Sequence, residues 1–259
     1  MKERLFVKER GQGLPLIFLH GWGFNHAVWD TIADQLCKNW HVYQVDLPGH
    51  GQSPVCEYTF PALTQRLAEN LPKNAIWVGW SLGGLLALAM AINQPGRVRS
   101  LILVSSSPRF TTAIDWPHAM ELEMLQEFAQ QLETDTLGTL QRFLVLQVKD
   151  SEFIQRQLHL LRALKEKMKL TPLVTLRTSL QLLMTADLRH ELKLIQCPSL
   201  LIFGGRDIIV PVEVAEDCHR YWPAARIQSI PTAAHLPFLS HPDTFLQQLQ
   251  AFLYEVTTP

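Results

Sequence analysis

The chain has 259 residues, 47% of them hydrophobic, which suffices for one sizeable core in a single α/β unit. Lys+Arg number 23 against Asp+Glu 24, and a formal net charge of −1 removes any global reason to expect nucleic acid or an anionic membrane as partner. Cys37, Cys56, Cys197 and Cys218 are scattered without a C-x-x-C pair, which excludes a small disulfide scaffold and a cysteine zinc site and reads as reduced thiols.

The first ten residues break into charge before an apolar segment forms, so a secretory signal is not expected. No apolar run approaches the roughly 20 residues of a spanning helix. A cytoplasmic protein is expected. The first predicted strand, 16–19, runs into Leu19-His20-Gly21-Trp22-Gly23, and a helix is expected over 27–38. A second strand, 42–45, precedes the glycine-rich loop from Asp46 to Ser53, read as a structural turn, and then a helix over 62–71. The third strand, 75–78, opens through Gly79-Trp80-Ser81-Leu82-Gly83 into a helix over 82–93. A fourth strand occupies 101–104.

Between 108 and 187 no strand is expected, only helical periodicity with breaks at Pro117, Gly138 and Pro172. That is too long for a loop and predicts an inserted helical cap over 109–187, with 1–108 and 188–259 forming the core. The alternation then resumes with strand 200–203, helix 212–220, strand 226–230 and helix 242–255. Continuous apolar strands alternating with helices predict a mostly parallel, doubly wound sheet covered on both faces.

The G-x-S-x-G run lies where a strand meets a helix, the setting of a nucleophile elbow in the α/β-hydrolase fold. Ser81 is therefore the expected nucleophile, and glycines on either side keep side chains out of the sharp turn. An oxyanion hole needs a second donor from the loop after an earlier strand, so the backbone N–H groups of Leu82 and Trp22 are expected to form it. His20 is expected to brace that loop by hydrogen bonds. In this fold the acid and then the base follow the nucleophile in chain order. Asp207, in the loop after 200–203, and His235, in the loop after 226–230, fit. Asp187 is the alternative acid, and His241 lies close to the expected base at a helix start. No His, Asp and Cys cluster has metal-ligand spacing, and no G-x-G-x-x-G or Walker loop occurs, so neither metal nor nucleotide cofactor is expected.

Three segments resemble the biotin-pathway carboxylesterases, the pimeloyl-acyl carrier protein methyl ester esterases. They are Leu19-His20-Gly21-Trp22-Gly23, the run from Val45 to Gly51, and the run from Ala75 to Leu85. Ser105-Ser106-Ser107-Pro108, Asp115-Trp116-Pro117, the run from Arg142 to Gln147, and the run from Ala233 to Pro242 extend the likeness. The resemblance implies a methyl ester substrate on acyl carrier protein, with Ser81, Asp207 and His235 as triad. It also implies an acyl channel lined by Phe143, Leu146 and Gln147 beside Trp22, Leu82 and His235. Ordinary cap-helix packing is the plainer reading of Phe143 and Gln147, which lie four residues apart on one helix face. An acidic carrier would meet basic side chains on the cap. Arg142, Arg156 and Arg162 are the foremost candidates, with Lys149, Lys165, Lys167 and Lys169 further ones, although Asp150, Glu152 and Glu166 interleave with them. A monomer is the default. A broader carboxylesterase or thioesterase of the same fold, and a non-catalytic ligand-binding protein, are the rival readings.

Overall fold

The computed structural model describes residues 4–166 and 170–257, without the side chains of residues 165 and 166. Its strands are β1 (Val7–Arg10), β2 (Pro15–Leu19), β3 (His41–Val45), β4 (Ala75–Trp80), β5 (Val98–Val104), β6 (Ser199–Gly204) and β7 (Arg226–Ile230). They form one sheet in the order β1-β3-β2-β4-β5-β6-β7, and only β1 runs antiparallel to its neighbour. All six expected strands are present. The additional strand, β1, reads Val-Lys-Glu-Arg and sits at the sheet edge, where one face stays wet and no apolar run marks it.

Successive residues of each central strand enter opposite cores. Ile17, Leu19, Trp77, Leu101, Leu103, Leu201 and Phe203 face one side. Leu16, Phe18, Ile76, Val78, Ile102, Val104, Leu200 and Ile202 face the other. This two-sided burial explains the unbroken apolar runs.

The helices of the sheet are α1 (Asp30–Leu36), α2 (Phe60–Asn70) and α3 (Leu82–Asn93), followed after the insertion by further ones. The expected 27–38 helix divides into a 3-10 turn, His26–Trp29, capped by Asn25, and then α1. Among the described residues, four α-helices lie between β5 and β6: α4 (Leu122–Thr134), α5 (Thr136–Leu146), α6 (Ile154–Glu166) and α7 (Leu173–Thr185). Gly138 does not break this run. The break is at Asp135, whose carboxylate caps α5 by accepting the Gly138 N–H at 2.9 Å. Pro172 does stand where expected, as the cap of α7. The ends of the insertion meet where the Leu188 N–H donates to the Pro108 carbonyl at 3.0 Å.

The chain finishes with α8 (Val214–Tyr221), the short α9 (Pro237–Ser240) and α10 (Pro242–Thr257). α2, α3 and α8 cover one face of the sheet, and α1 and α10 the other. Among the described residues no helix is long and apolar enough to cross a membrane.

Candidate active site

β4 ends in a sharp turn at Ser81. Ser81 has φ 53° and ψ −118°, a strained conformation for a residue with a side chain. The surroundings fix it. Its N–H donates to Val104 O at 3.0 Å, and its carbonyl accepts from Gly84 N, Leu85 N and the Ser106 hydroxyl. The flanking glycines are required by space, since a Cβ on Gly79 would lie 2.3 Å from the Gly83 carbonyl oxygen. Leu82 begins α3, so its N–H is among those a helix leaves without an internal acceptor.

Two loops from the carboxyl edge of the sheet carry the other polar groups. The loop after β6 curls so that Asp207 Oδ1 accepts the N–H groups of Ile209 and Val210 at 2.9 and 3.0 Å. Its Oδ2 lies 2.7 Å from Nδ1 of His235, which follows β7. Both side chains are buried. Because Nδ1 of His235 donates its hydrogen to Asp207 Oδ2, Nε2 is left as the basic atom, and it is buried without a hydrogen-bond partner. The alternatives are engaged elsewhere. Asp187 binds Arg189 and Arg109. Burial favours its protonated form, but the two guanidiniums outweigh that and hold its pKa down at about 2. His241 bonds to Thr232 and Ser240 and pairs with Glu152.

The loop after β2 lies beside the elbow. His20 braces it as expected: its Nε2 accepts the Leu47 N–H at 2.9 Å, so Nδ1 carries the proton that it donates to Gly21 O at 2.8 Å. The Trp22 indole is held by the insertion, donating to Leu176 O at 3.0 Å and meeting Phe128 and Phe143 edge to face.

Ser81 opens into a cavity of about 190 Å³ walled by Trp22, Phe128, Phe143, Leu146 and Leu183, with Glu127 and Gln131 as polar members. Phe143 and Leu146 line this cavity, and Leu82 and His235 are not on its wall. Neither is Gln147. It is fully buried at the end of α5, off the cavity wall, with both amide atoms unpartnered, while its backbone carbonyl accepts the His235 N–H at 3.1 Å. Phe128 and Leu183 were not anticipated, since an apolar stripe on a helix looks the same whether it faces a core or a cavity.

On the other side of Leu146, α5 and α6 enclose an open groove of about 810 Å³. Arg142, Lys149 and Arg162 line it with Leu144, Val145 and Leu158. Arg156 is exposed on α6 but is not on the groove wall. Lys167 and Lys169 lie outside the described residues, as does the side chain of Lys165.

A seven-stranded, mostly parallel sheet with a serine on such an elbow defines an α/β hydrolase, and the Alpha/beta hydrolase family model matches residues 16–248. Solved structures share the fold. An esterase from Exiguobacterium antarcticum superimposes with a TM-score of 0.86 at 23% identity, covering 96% of this chain and 95% of its own. A thermophilic esterase from Thermogutta terrifontis gives 0.83 at 24%, covering 98% and 94%. More similar in sequence is the pimeloyl-acyl carrier protein methyl ester esterase of Yersinia enterocolitica, 40% identical over 99% of this chain and 100% of that protein. The protein of that name from Nitrosomonas europaea is 39% identical over 95% and 98%. The chain belongs to the alpha/beta hydrolase family and, within it, to the family of these pimeloyl-acyl carrier protein methyl ester esterases.

Proposed function

We propose that the chain is a serine carboxylesterase that hydrolyses the methyl ester of a pimeloyl group carried on acyl carrier protein, releasing methanol, as a step of biotin synthesis. The observation that carries the chemistry is the 2.7 Å His235–Asp207 bond, which leaves a buried, unpartnered Nε2 for the serine of the elbow. The relatives' names carry the substrate, and an apolar cavity suited to a methylene chain is consistent with it.

In this reading Ser81 Oγ attacks the ester carbonyl while His235 Nε2 takes its proton. Asp207 holds the imidazole tautomer and stabilises its charged form. The N–H groups of Trp22 and Leu82 receive the developing oxyanion, each worth about 3–4 kcal/mol. Collapse expels methoxide, which leaves as methanol with the proton from His235. Water, deprotonated by His235, then cleaves the acyl-Ser81 ester, frees the distal carboxylate and returns the proton to serine. The thioester to the carrier is untouched.

Residues 109–187 act as a lid in this proposal, over a core of 1–108 and 188–259. The groove between α5 and α6 receives the acidic carrier, with Arg142 and Arg162 in contact. The absence of a carboxylate among the described residues that line it supports this. Arg156 would meet the carrier only beyond the groove. A carrier-linked substrate and four cysteines free of disulfides support a cytoplasmic setting, and the enzyme is taken as a monomer. Labelling by a fluorophosphonate tests the chemistry: it should modify Ser81 and leave Ser81→Ala untouched. An unreactive Ser81 would instead indicate a binding protein.

A further inference from the structure

We propose that Trp80, the residue the G-x-S-x-G pattern leaves open, is a positioning residue that holds nucleophile, base and oxyanion loop in register. The inference rests on the reading of Ser81 and His235 as nucleophile and base. Trp80 is the last residue of β4 and is covalently joined to Ser81. Its indole Nε1 donates to the backbone carbonyl of His235 at 2.8 Å, across 155 residues of sequence. On the other side of the same residue, the His235 N–H donates to Gln147 O at 3.1 Å. Both backbone polar groups of His235 are therefore anchored, and its Nδ1 is anchored by Asp207. The one polar atom left without a partner is Nε2.

The same ring supports the oxyanion loop. A Cβ on Gly21 would lie 2.9 Å from the six-membered ring of Trp80, so the loop backbone rests directly on the indole face. Phe24, from the end of that loop, meets the indole edge to face at 5.0 Å, and Phe238, just after the His235 loop, does so at 5.4 Å. The His235 ring itself lies 5.6 Å away. One side chain thus touches the elbow, the loop after β2 and the His235 loop.

Packing alone does not account for the indole bond. Trp29 and Trp77 are equally buried, yet their Nε1 atoms have no partner. The Trp80 bond is directed, and it forms where the side chain is 1% exposed, so water cannot replace it. Phenylalanine would fill part of the space without holding the carbonyl. A histidine base displaced by about 1 Å can lose on the order of a hundredfold in rate.

The test replaces Trp80 with β-(3-benzothienyl)alanine by site-specific incorporation, which keeps the bicyclic shape and deletes the N–H. Trp80→Phe, wild type and Ser81→Ala are compared in saturable labelling by a fluorophosphonate. The maximal labelling rate of the benzothienyl protein is expected to fall about ten- to a hundredfold, with the half-saturating concentration changed less than about threefold. Trp80→Phe should lose at least as much. A benzothienyl protein that labels at the wild-type rate overturns the proposal, as does an equal change in both parameters, which marks a packing role. Wild type that fails to label, or Ser81→Ala that labels, overturns the reading of Ser81 beneath it.

Discussion

The indole of Trp22 donates to the main-chain carbonyl of Leu176, 154 residues away, at 3.0 Å. That bond joins the loop after β2 to α7, so the backbone expected to receive the oxyanion is tied to the helical insertion.

Trp22→Phe keeps a ring against Phe128 and Phe143 and removes the tie. We expect a loss of about 1 kcal/mol in urea unfolding and about a tenfold fall in kcat/KM on a methyl ester. Unchanged turnover would show that the tie does not position the loop.

Asp207 and Asp187 are separated by their partners, and their variants should separate as well. Asp207→Asn loses the carboxylate that fixes the His235 tautomer and should lower kcat by roughly 10³–10⁴-fold. Asp187→Asn weakens the Arg109 and Arg189 contacts at the base of the insertion and should cost stability with turnover within about twofold. Steady-state kinetics and thermal melts on both variants check the pair.

His20 gives the fold a pH dependence. Burial pushes its pKa from 6.5 down to about 4, against the opposing charge of Asp46, because the buried ring serves as a neutral brace. The unfolded chain therefore binds a proton that the folded one refuses. Stability rises with pH between about 4 and 6.5 and is lost as pH falls through that window. His50, buried beside it, is pushed to about 3 and acts in the same direction. His20→Gln should be less stable near neutral pH yet show a shallower fall toward pH 4, measured by urea unfolding across the range.

Arg142 and Arg162 occupy the groove without a role in the proposed chemistry. Arg142→Glu with Arg162→Glu should raise KM for a carrier-linked ester by about tenfold or more. KM for a small free methyl ester should be unchanged. The wild-type KM for the carrier ester should also rise with salt. Equal effects on both substrates would place the carrier elsewhere.

The parallel sheet was legible because its strands are buried on both faces and each ends in a loop with marked chemistry. Ser81 is marked by its G-x-S-x-G run, and Asp207 and His235 are candidates by their place after later strands, since β4, β6 and β7 all deliver their loops to one edge. β1 escaped because Val-Lys-Glu-Arg has the composition of a wet edge. The insertion was legible only as helical. Its true break at Asp135 is made by a side-chain cap that composition does not distinguish from an exposed aspartate. Spacing put Gln147 on the face of Phe143, but it does not tell a cavity wall from the buried packing in which its amide lies. Trp80 left no signal, for its indole bond depends on a loop 155 residues away.

The most direct test of the account is mass spectrometry of pimeloyl-acyl carrier protein methyl ester incubated with the wild-type enzyme and with Ser81→Ala. Loss of one methylene mass from the acyl group is expected with wild type alone, the carrier thioester remaining intact. Release of free acyl acid from the carrier would make the protein a thioesterase. An unchanged ester, or the same conversion by Ser81→Ala, would contradict the proposed function.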